Sequence, residues 1–284
     1  MIIDSYLYDV GFNHGSIEVV TKDIIDRTKA SWASGADMVV FPEYSWCNFM
    51  LYSSPEDALE PVAKSFWSLA WPQLKAELSQ SGKAVILGSV PYVLPDGKIR
   101  NRTPMLIEGN EIFQDKLCLT PWEAHLDGGD ELFLFNFKGA KCVNLICLDI
   151  EIPATASMLK EEGGIDLVFV PSATETMMGV ERIARCASSR AVELGAAVIV
   201  SQLVGELDNE FIGENLGQAA LYLPSLAATD SVIRVDERGI VRVGNKAERF
   251  EVDLGLLRAA RADTITTNPA LVETRKNLSI KLAN

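Results

Sequence analysis

The chain has 284 residues and a formal net charge of −13, with 48% hydrophobic and 23% charged residues. This balance is typical of a soluble globular protein, and the negative charge argues against nucleic acid or an anionic membrane surface as a partner. The length allows one large α/β domain or two small ones.

Helical and strand patterns alternate along the first two-thirds of the chain, which predicts an α/β fold. Residues 16–34 place apolar side chains on one helical face, and the buried strand that follows ends at Pro42. Residues 54–82 read as helical, and we expect breaks at Pro61 and Pro72 because proline removes a helical hydrogen bond.

Short strands dominate the last third of the chain. Two helix-to-strand joints resemble each other, SGADMVVFPEYS at 34–45 and GGIDLVFVPSAT at 163–174, which indicates a pseudo-symmetric sandwich. No linker interrupts the pattern. We therefore expect a single domain over residues 1–284, with a C-terminal extension from about residue 255.

Five cysteines and two histidines limit the kinds of site that this chain can build. The cysteines show no metal-ligand spacing, and without a signal-peptide pattern they predict reduced thiols in the cytoplasm. Because His14 and His125 are far apart, a zinc hydrolase or a Ser-His-Asp enzyme is disfavoured. We expect no metal and no cofactor.

Three polar residues lie at or just beyond the predicted ends of strands. Glu43 follows MVVFP, Lys116 follows EIFQD, and Cys147 follows VNLI. Taken singly, such residues are usually a solvated loop charge, a surface lysine and a core cysteine. Ligand sites in open α/β sheets form beyond the carboxyl ends of the strands, so the three together predict one site.

A carboxylate can act as the base for a thiol, so histidine is not required. Burial raises a carboxyl pKa toward neutral and a nearby ammonium lowers it, so the balance can be tuned. The thiolate then attacks an electrophilic carbon, and a lysine stabilises the oxyanion. The backbone N–H of Leu148, near the start of the next helix, offers a second donor.

Three segments resemble, in order and register, the motifs of the nitrilase superfamily of carbon–nitrogen hydrolases: FPEYS, DKLCLTPWEAHLDGGDELFLF and VNLICLDIEIP. The resemblance covers nearly the whole chain. It implies a four-layer αββα sandwich and an assembly of two or more copies. GGDELFLF and PSATET are similar to an amidase-like branch that is sometimes fused to acetyltransferase domains.

The resemblance also implies roles for single residues. Glu43 corresponds to the general base, Lys116 to the cation that stabilises the oxyanion, and Cys147 to the nucleophile that forms an acyl-thioester. Glu123 corresponds to a second glutamate that positions the substrate and the attacking water. Because two carboxyls face one ammonium, we expect one of them to hold a proton in the resting enzyme.

Two departures from the family pattern bear on the substrate. Leu148 replaces a frequent aromatic residue, and Glu151 lies where many amidases carry a basic residue. Glu175 is followed by no arginine until Arg182, which favours a neutral or amine-bearing substrate, although a helix dipole would also explain an acidic residue there. The residues expected to line the pocket are Glu43, Tyr44, Trp46, Trp122, Glu123, Glu151, Glu175 and Thr176.

These observations predict an enzyme that hydrolyses a non-peptide carbon–nitrogen bond in a small-molecule amide, as a cytoplasmic homodimer or larger homo-oligomer. Three alternatives stay open: a nitrilase with the same triad, an acyltransferase that passes the thioester to an amine, and a non-catalytic scaffold. Product formation without an added acceptor separates hydrolysis from acyl transfer.

Overall fold

A computed structural model describes residues 1–12, 16–48, 59–208 and 211–273. Strands and helices alternate in it as the sequence predicts. The α-helices are α1 (Ile17–Ala33), α2 (Leu59–Ser65), α3 (Trp71–Leu78), α4 (Pro153–Glu162), α5 (Met177–Leu194) and α6 (Leu254–Arg261). The strands are β1 (Ile2–Asp9), β2 (Met38–Phe41), β3 (Ala84–Leu87), β4 (Val90–Val93), β5 (Ile99–Ile107), β6 (Asn110–Asp115), β7 (Leu134–Phe137), β8 (Ala140–Asn144), β9 (Leu167–Ser172), β10 (Ala197–Glu206), β11 (Glu214–Asn215), β12 (Ala220–Tyr222), β13 (Val235–Glu237) and β14 (Lys246–Glu251).

The strands form a curled sheet with two halves that join at one seam. The central order is β4-β5-β3-β2-β1-β10-β9-β8-β7. Strands β1, β2 and β3 pair in parallel in one half, and β10, β9 and β8 do so in the other. The seam is short: the end of β1 pairs with β10 through Tyr8↔Leu203 and Asp9↔Val204. Parallel strands bring their carboxyl ends to one edge, where the polar residues that follow them can meet.

Apolar side chains fill the spaces between four layers of helices and strands. Residues of both sheet halves share one buried cluster, which includes Val40 and Phe169 and fills the space between the halves. Helices α1 and α3 cover the outer face of the first half, while α4 and α5 cover that of the second. A sheet that is buried on both faces is built from strands that are apolar along nearly their whole length. The predicted α/β fold, a four-layer αββα sandwich, is confirmed.

The predicted helix break at Pro72 is wrong. Helical structure continues through Pro72, because a π-helical turn, Phe66–Ala70, connects α2 to α3, and in it the N–H of Trp71 donates to the carbonyl of Phe66. Pro61 lies in the first described turn of α2, so the predicted break there stays a prediction. The start of the predicted helix, residues 54–58, and His14 lie outside the described residues.

The described part of the C-terminal region packs on the domain. Helix α6 buries Leu257 and Ala260. From the same helix, Arg258 and Arg261 bind the carboxylate of Asp166 at 3.0 and 2.8 Å. Within the described ranges, no helix combines the length and the apolar character that a membrane crossing requires.

Candidate active site

The three residues predicted at strand ends meet in the structure. Glu43 lies two residues beyond β2, Lys116 directly follows β6, and Cys147 begins a short 3-10 helix, Cys147–Glu151, after β8. The Lys116 Nζ atom lies 2.8 Å from Glu43 Oε1. The Cys147 side chain lies close enough to Glu43 for each group to shift the pKa of the other. All three side chains are buried.

Glu123 joins this group from the short helix that follows β6. Its Oε2 atom accepts hydrogen bonds from Lys116 Nζ at 2.6 Å and from the N–H and hydroxyl of Thr120 at 3.0 and 2.8 Å. Its Oε1 atom accepts the Tyr44 hydroxyl at 2.5 Å. The ammonium of Lys116 is thus held between two buried carboxyls.

Asn101 links the two carboxyls, and sequence reasoning missed it. Its Nδ2 atom donates to Oε1 of Glu43 at 2.9 Å and to Oε1 of Glu123 at 3.2 Å. Its backbone carbonyl accepts the N–H of Lys116 at 2.8 Å. The only local signal was a polar residue inside strand β5. We call Glu43, Asn101, Lys116 and Glu123 the buried cluster.

Asp149, also missed, holds the cysteine segment against the lysine segment. Its carboxylate accepts the backbone N–H groups of Ile146 at 3.1 Å, Leu117 at 3.2 Å and Cys118 at 2.8 Å. Burial raises the pKa of Asp149 to about 6, while these N–H donors and Lys116 act in the opposite direction. The acidic residue two positions after the cysteine was the available signal.

Two residues beside the site have a left-handed backbone that is uncommon outside glycine. The φ angle is 49° at Cys147 and 57° at Tyr44. Such conformations cost about 1–3 kcal/mol each and concentrate at functional sites. At Cys147 this turn leads from the end of β8 into the 3-10 helix, and the sulfur lies 3.7 Å from the carbonyl oxygen of Ala173.

Burial and charge give the members of this site different proton affinities. Burial raises the pKa of Glu43 to about 7; Lys116 opposes this rise and Glu123 adds to it. Burial also acts to raise the pKa of Glu123, but Lys116 and hydrogen bonds bring it below its ordinary value. The Cys147 thiol has a pKa well above its usual range because of burial and Glu43. Glu43 is therefore the carboxyl that gains and loses a proton near neutral pH.

Lys116 stays charged in spite of its burial. Burial acts to lower its pKa, but Glu43, Cys147 and Glu123 together raise it above the ordinary value. A permanently charged ammonium beside the thiol can stabilise negative charge that develops there. In the part of the chain that the structure describes, no group of three or more His, Cys, Asp and Glu side chains is placed to hold a metal ion.

A cleft of about 150 Å³ leads from solvent to Cys147. The remaining predicted binding residues, Trp122, Leu148, Glu151 and Glu175, all line it. The full lining consists of Thr120, Trp122, Cys147, Leu148, Glu151, Ala173, Thr174, Glu175, Thr176, Gly179, Arg182, Ile212 and Asn215. We call Glu151, Glu175, Arg182 and Asn215 the mouth of this cleft.

Trp46 does not line the cleft, so its predicted place in the pocket is wrong. Glu43, Tyr44 and Glu123, which were also predicted there, are buried behind the cleft and do not line it either. The Trp46 side chain is fully buried, its Nε1 donates to the carbonyl of Leu87 at 2.7 Å, and its ring packs on Phe66. The β2 segment turns inward after Tyr44, which places Trp46 under helix α2 and the π-helical turn rather than beside the cysteine.

Aromatic rings cover the buried cluster on the solvent side. The ring centroid of Trp122 lies 5.8 Å from Tyr44 and 5.0 Å from Phe211. His125 touches the same group through Phe211, at 5.7 Å between centroids. Lys116 Nζ lies 5.9 Å from the Trp122 ring, a cation–π distance. Phe211 is distant in sequence and was not predicted.

Two curated proteins resemble the chain in sequence. Over 238 residues it is 28% identical to Probable hydrolase YhcX of Bacillus subtilis. This match covers 80% of this chain and 45% of that protein. Over 239 residues it is 27% identical to an (R)-stereoselective amidase of a Pseudomonas species, covering 82% and 79%. The chain thus spans less than half of the Bacillus protein. No protein-family model matches the chain.

Solved structures share the fold. A CN-hydrolase superfamily protein of Xanthomonas campestris has a TM-score of 0.69 at 16% identity, covering 92% of this chain and 94% of that one. Nit3 of Saccharomyces cerevisiae, a member of branch 10 of the nitrilase superfamily, has a TM-score of 0.66 at 18% identity, covering 94% and 95%. The predicted resemblance to the nitrilase superfamily is confirmed, and both curated relatives carry the names of the predicted enzyme class.

Proposed function

We propose that this chain, which shares the fold of the nitrilase superfamily, hydrolyses the carbon–nitrogen bond of a small-molecule amide through a thioester on Cys147. One observation carries the proposal. The Cys147 thiol lines the cleft, and a carboxyl with a pKa of about 7 and a buried ammonium lie together behind it. These groups are the nucleophile, the base and the electrostatic catalyst that acyl transfer requires.

Acylation begins when a carboxylate oxygen of Glu43 takes the proton of the Cys147 thiol. The sulfur attacks the amide carbon, and the carbonyl electrons move to oxygen. Lys116 and the N–H of Leu148 stabilise this oxyanion. As the carbonyl reforms, the carbon–nitrogen bond breaks, Glu43 gives its proton to the nitrogen, and ammonia or an amine leaves.

Deacylation repeats the sequence with water. Glu43 takes a proton from a water molecule while the oxygen of that water attacks the thioester carbon. The same donors stabilise the second oxyanion. The carbon–sulfur bond breaks, the acid leaves, and the thiolate regains a proton from Glu43. Glu123 fixes Lys116 for both steps through the 2.6 Å contact.

The buried cluster supports Glu43 as the base. The Oε1 atom of Glu43 accepts hydrogen bonds from Lys116 and Asn101, while Oε2 accepts one from the N–H of Ala173 at 2.9 Å. Three donors fix the plane of the carboxyl, so it meets Cys147 in a single orientation. A base whose pKa lies near neutral can both accept and return a proton at each turnover.

The test is ammonia release from a panel of primary amides, without any added acceptor amine. We expect release by the unmodified protein and none by Cys147→Ala. Cys186→Ala is the matched control, since Cys186 is a half-buried cysteine on α5 that does not line the cleft. Ammonia release that persists in Cys147→Ala would contradict the proposal. Release only after an amine is added would identify an acyltransferase, and turnover of nitriles alone a nitrilase.

Location, assembly and domain extent complete the proposal. We place the protein in the cytoplasm, as a single domain with a C-terminal extension from about residue 255, and as a homodimer or larger homo-oligomer. Sedimentation equilibrium measures the assembly directly, since the monomer mass is 31.1 kDa. A single species at that mass over the accessible concentration range would refute the homo-oligomer.

A further inference from the structure

We infer that the mouth of the cleft selects amides whose far end carries a primary ammonium group. This inference rests on the proposed function and names its substrate class. The cleft that holds Cys147 extends to the N-terminal end of α5, where Thr174, Glu175 and Thr176 form part of its wall. A substrate with its carbonyl at Cys147 would therefore place its other end among the polar groups of the mouth.

The charges of the mouth do not cancel. Arg182 Nε donates to Glu151 Oε2 at 3.1 Å, so its guanidinium is already paired. Glu175 is exposed in the cleft wall and makes no ion pair or side-chain hydrogen bond with any described residue. Two carboxylates against one guanidinium leave Glu175 without a cationic partner among the described residues, and the N-terminal end of α5 supplies only a partial positive charge beside it.

Asn215 adds an open acceptor beside that charge. The residue is only 1% exposed and lines the cleft. Its Nδ2 donates to the carbonyl of Ile212 at 2.9 Å, while its Oδ1 accepts no hydrogen bond from the described residues. The next residue, Leu216, donates its N–H to the carbonyl of Thr174 at 3.0 Å, which holds Asn215 close to the Glu175 wall.

These two groups fit one kind of ligand. A carboxylate and an amide oxygen both accept hydrogen bonds, and neither donates. A primary ammonium offers three donors and no acceptor, so it can satisfy both, whereas a substrate carboxylate would meet an uncompensated negative charge.

The test compares three amides of similar length with different ends: δ-aminovaleramide, hexanamide and adipamate. Binding is measured on Cys147→Ala protein, and kcat/KM on the active enzyme. We expect the amino amide to exceed hexanamide by about fivefold in both, with adipamate weakest, because a partly exposed ion pair contributes a modest preference. Glu175→Gln should abolish this preference, so that the amino amide and hexanamide become equal in binding and in kcat/KM.

Glu181→Gln provides the matched control. Glu181 lies on the same helix, is 55% exposed and pairs with Arg185 away from the cleft. Glu181→Gln changes the net charge by the same amount as Glu175→Gln but leaves the cleft intact, so the preference for the amino amide should persist. Glu175→Lys should reverse the preference toward adipamate. A preference that survives Glu175→Gln, or strongest binding of adipamate by the protein with Glu175 intact, would overturn the inference.

The two proposals fail in different ways. Ammonia release from hexanamide with no advantage for the amino amide overturns the ammonium inference alone. The opposite outcome is that the amino amide binds best to Cys147→Ala protein but no amide releases ammonia. That outcome supports ammonium selection at the mouth and overturns the proposed amide hydrolysis.

Discussion

One group of charged residues is buried behind the cleft and a second group lines it, and the two groups differ in what surrounds them. In the buried cluster, the side chains of Glu43, Lys116 and Glu123 are 0% exposed. At the mouth, the side chain of Arg182 is 63% exposed and pairs with Glu151. Breaking a buried pair leaves an uncompensated charge, whereas an exposed pair is screened by water.

The comparison separates chemistry from selection. In the buried cluster, every charge has fixed partners, and burial brings the pKa of Glu43 to about 7. At the mouth, one carboxylate has no partner among the described residues, and substitutions there should be tolerated. Under the proposed function, the inner residues determine whether a bond is broken and the outer ones determine which molecule is presented.

Lys116→Met should give the largest effect, because it leaves Glu43 and Glu123 buried without their shared cation. We expect a loss of about 3–5 kcal/mol in the free energy of unfolding, together with loss of amide hydrolysis. Denaturant unfolding measures the first and ammonia release the second. Lys64→Met, at an exposed position of α2, is the control and should change stability by less than about 0.5 kcal/mol. Equal stability of the two variants would mean that the buried cluster is not held by this ion pair.

Glu43→Gln should separate activity from stability. Turnover should fall by about a thousandfold, since the base is lost. The raised pKa means that folding disfavours the charged form of Glu43, and the amide keeps the shape of the side chain. The amide nitrogen cannot accept the hydrogen bonds that one of the two oxygens now receives, so stability at pH 7 should fall by about 1–2 kcal/mol, less than in Lys116→Met. A loss as large as that of Lys116→Met would show that Glu43 serves stability rather than acid–base chemistry.

The pH profile should report the same carboxyl. The base must be ionised to accept the thiol proton, so kcat/KM should rise with pH and level off above the pKa of about 7. Below that pKa, each pH unit should reduce kcat/KM about tenfold. Steady-state rates across a pH series measure the midpoint. A midpoint near the ordinary glutamate value would contradict the burial effect.

Asn101→Leu should shift the midpoint of the pH dependence of kcat/KM. The substitution removes the Nδ2 donor that favours the charged form of Glu43, so the pKa should rise and the acidic limb should shift upward by about 0.5–1 pH unit. Asn136→Leu, at an exposed position of β7, is the control with no expected shift. Lower activity with an unmoved midpoint would reduce Asn101 to a packing role.

Arg182→Gln should give the smallest effect. Because its pair with Glu151 is largely exposed, we expect less than about 0.5 kcal/mol change in stability and less than about threefold change in kcat/KM for a neutral amide. Thermal unfolding and steady-state kinetics measure both. A large loss with a neutral amide would show that the mouth takes part in catalysis, and the distinction between the two regions would fail.

Sequence patterns predicted the residues whose positions depend on local structure. Glu43, Lys116 and Cys147 each lie at or just beyond a predicted strand end, and such ends meet at one edge of a parallel sheet. The same reasoning predicted the alternation of helices and strands. It failed for Pro72, because the π-helical turn depends on packing of α2 and α3 against the sheet rather than on the proline itself.

The contacts that sequence patterns did not predict join distant segments. Asn101 reaches Glu43 across 58 positions of sequence and Glu123 across 22, so no short-range spacing indicates it. Trp46 looked like a pocket residue because it is close to Glu43 in sequence, yet the turn after Tyr44 directs it into the core. Tertiary packing decides such positions.

The central claim is that Cys147 carries the acyl group, and an acid-quenched reaction analysed by intact-protein mass spectrometry tests it most directly. Hexanamide is the probe, and Glu123→Gln is used beside the unmodified protein to slow deacylation. The account predicts one hexanoyl adduct, located by peptide mapping on Cys147 and absent from Cys147→Ala. Hydrolysis of hexanamide without any adduct on Cys147, and with activity retained in Cys147→Ala, would contradict it.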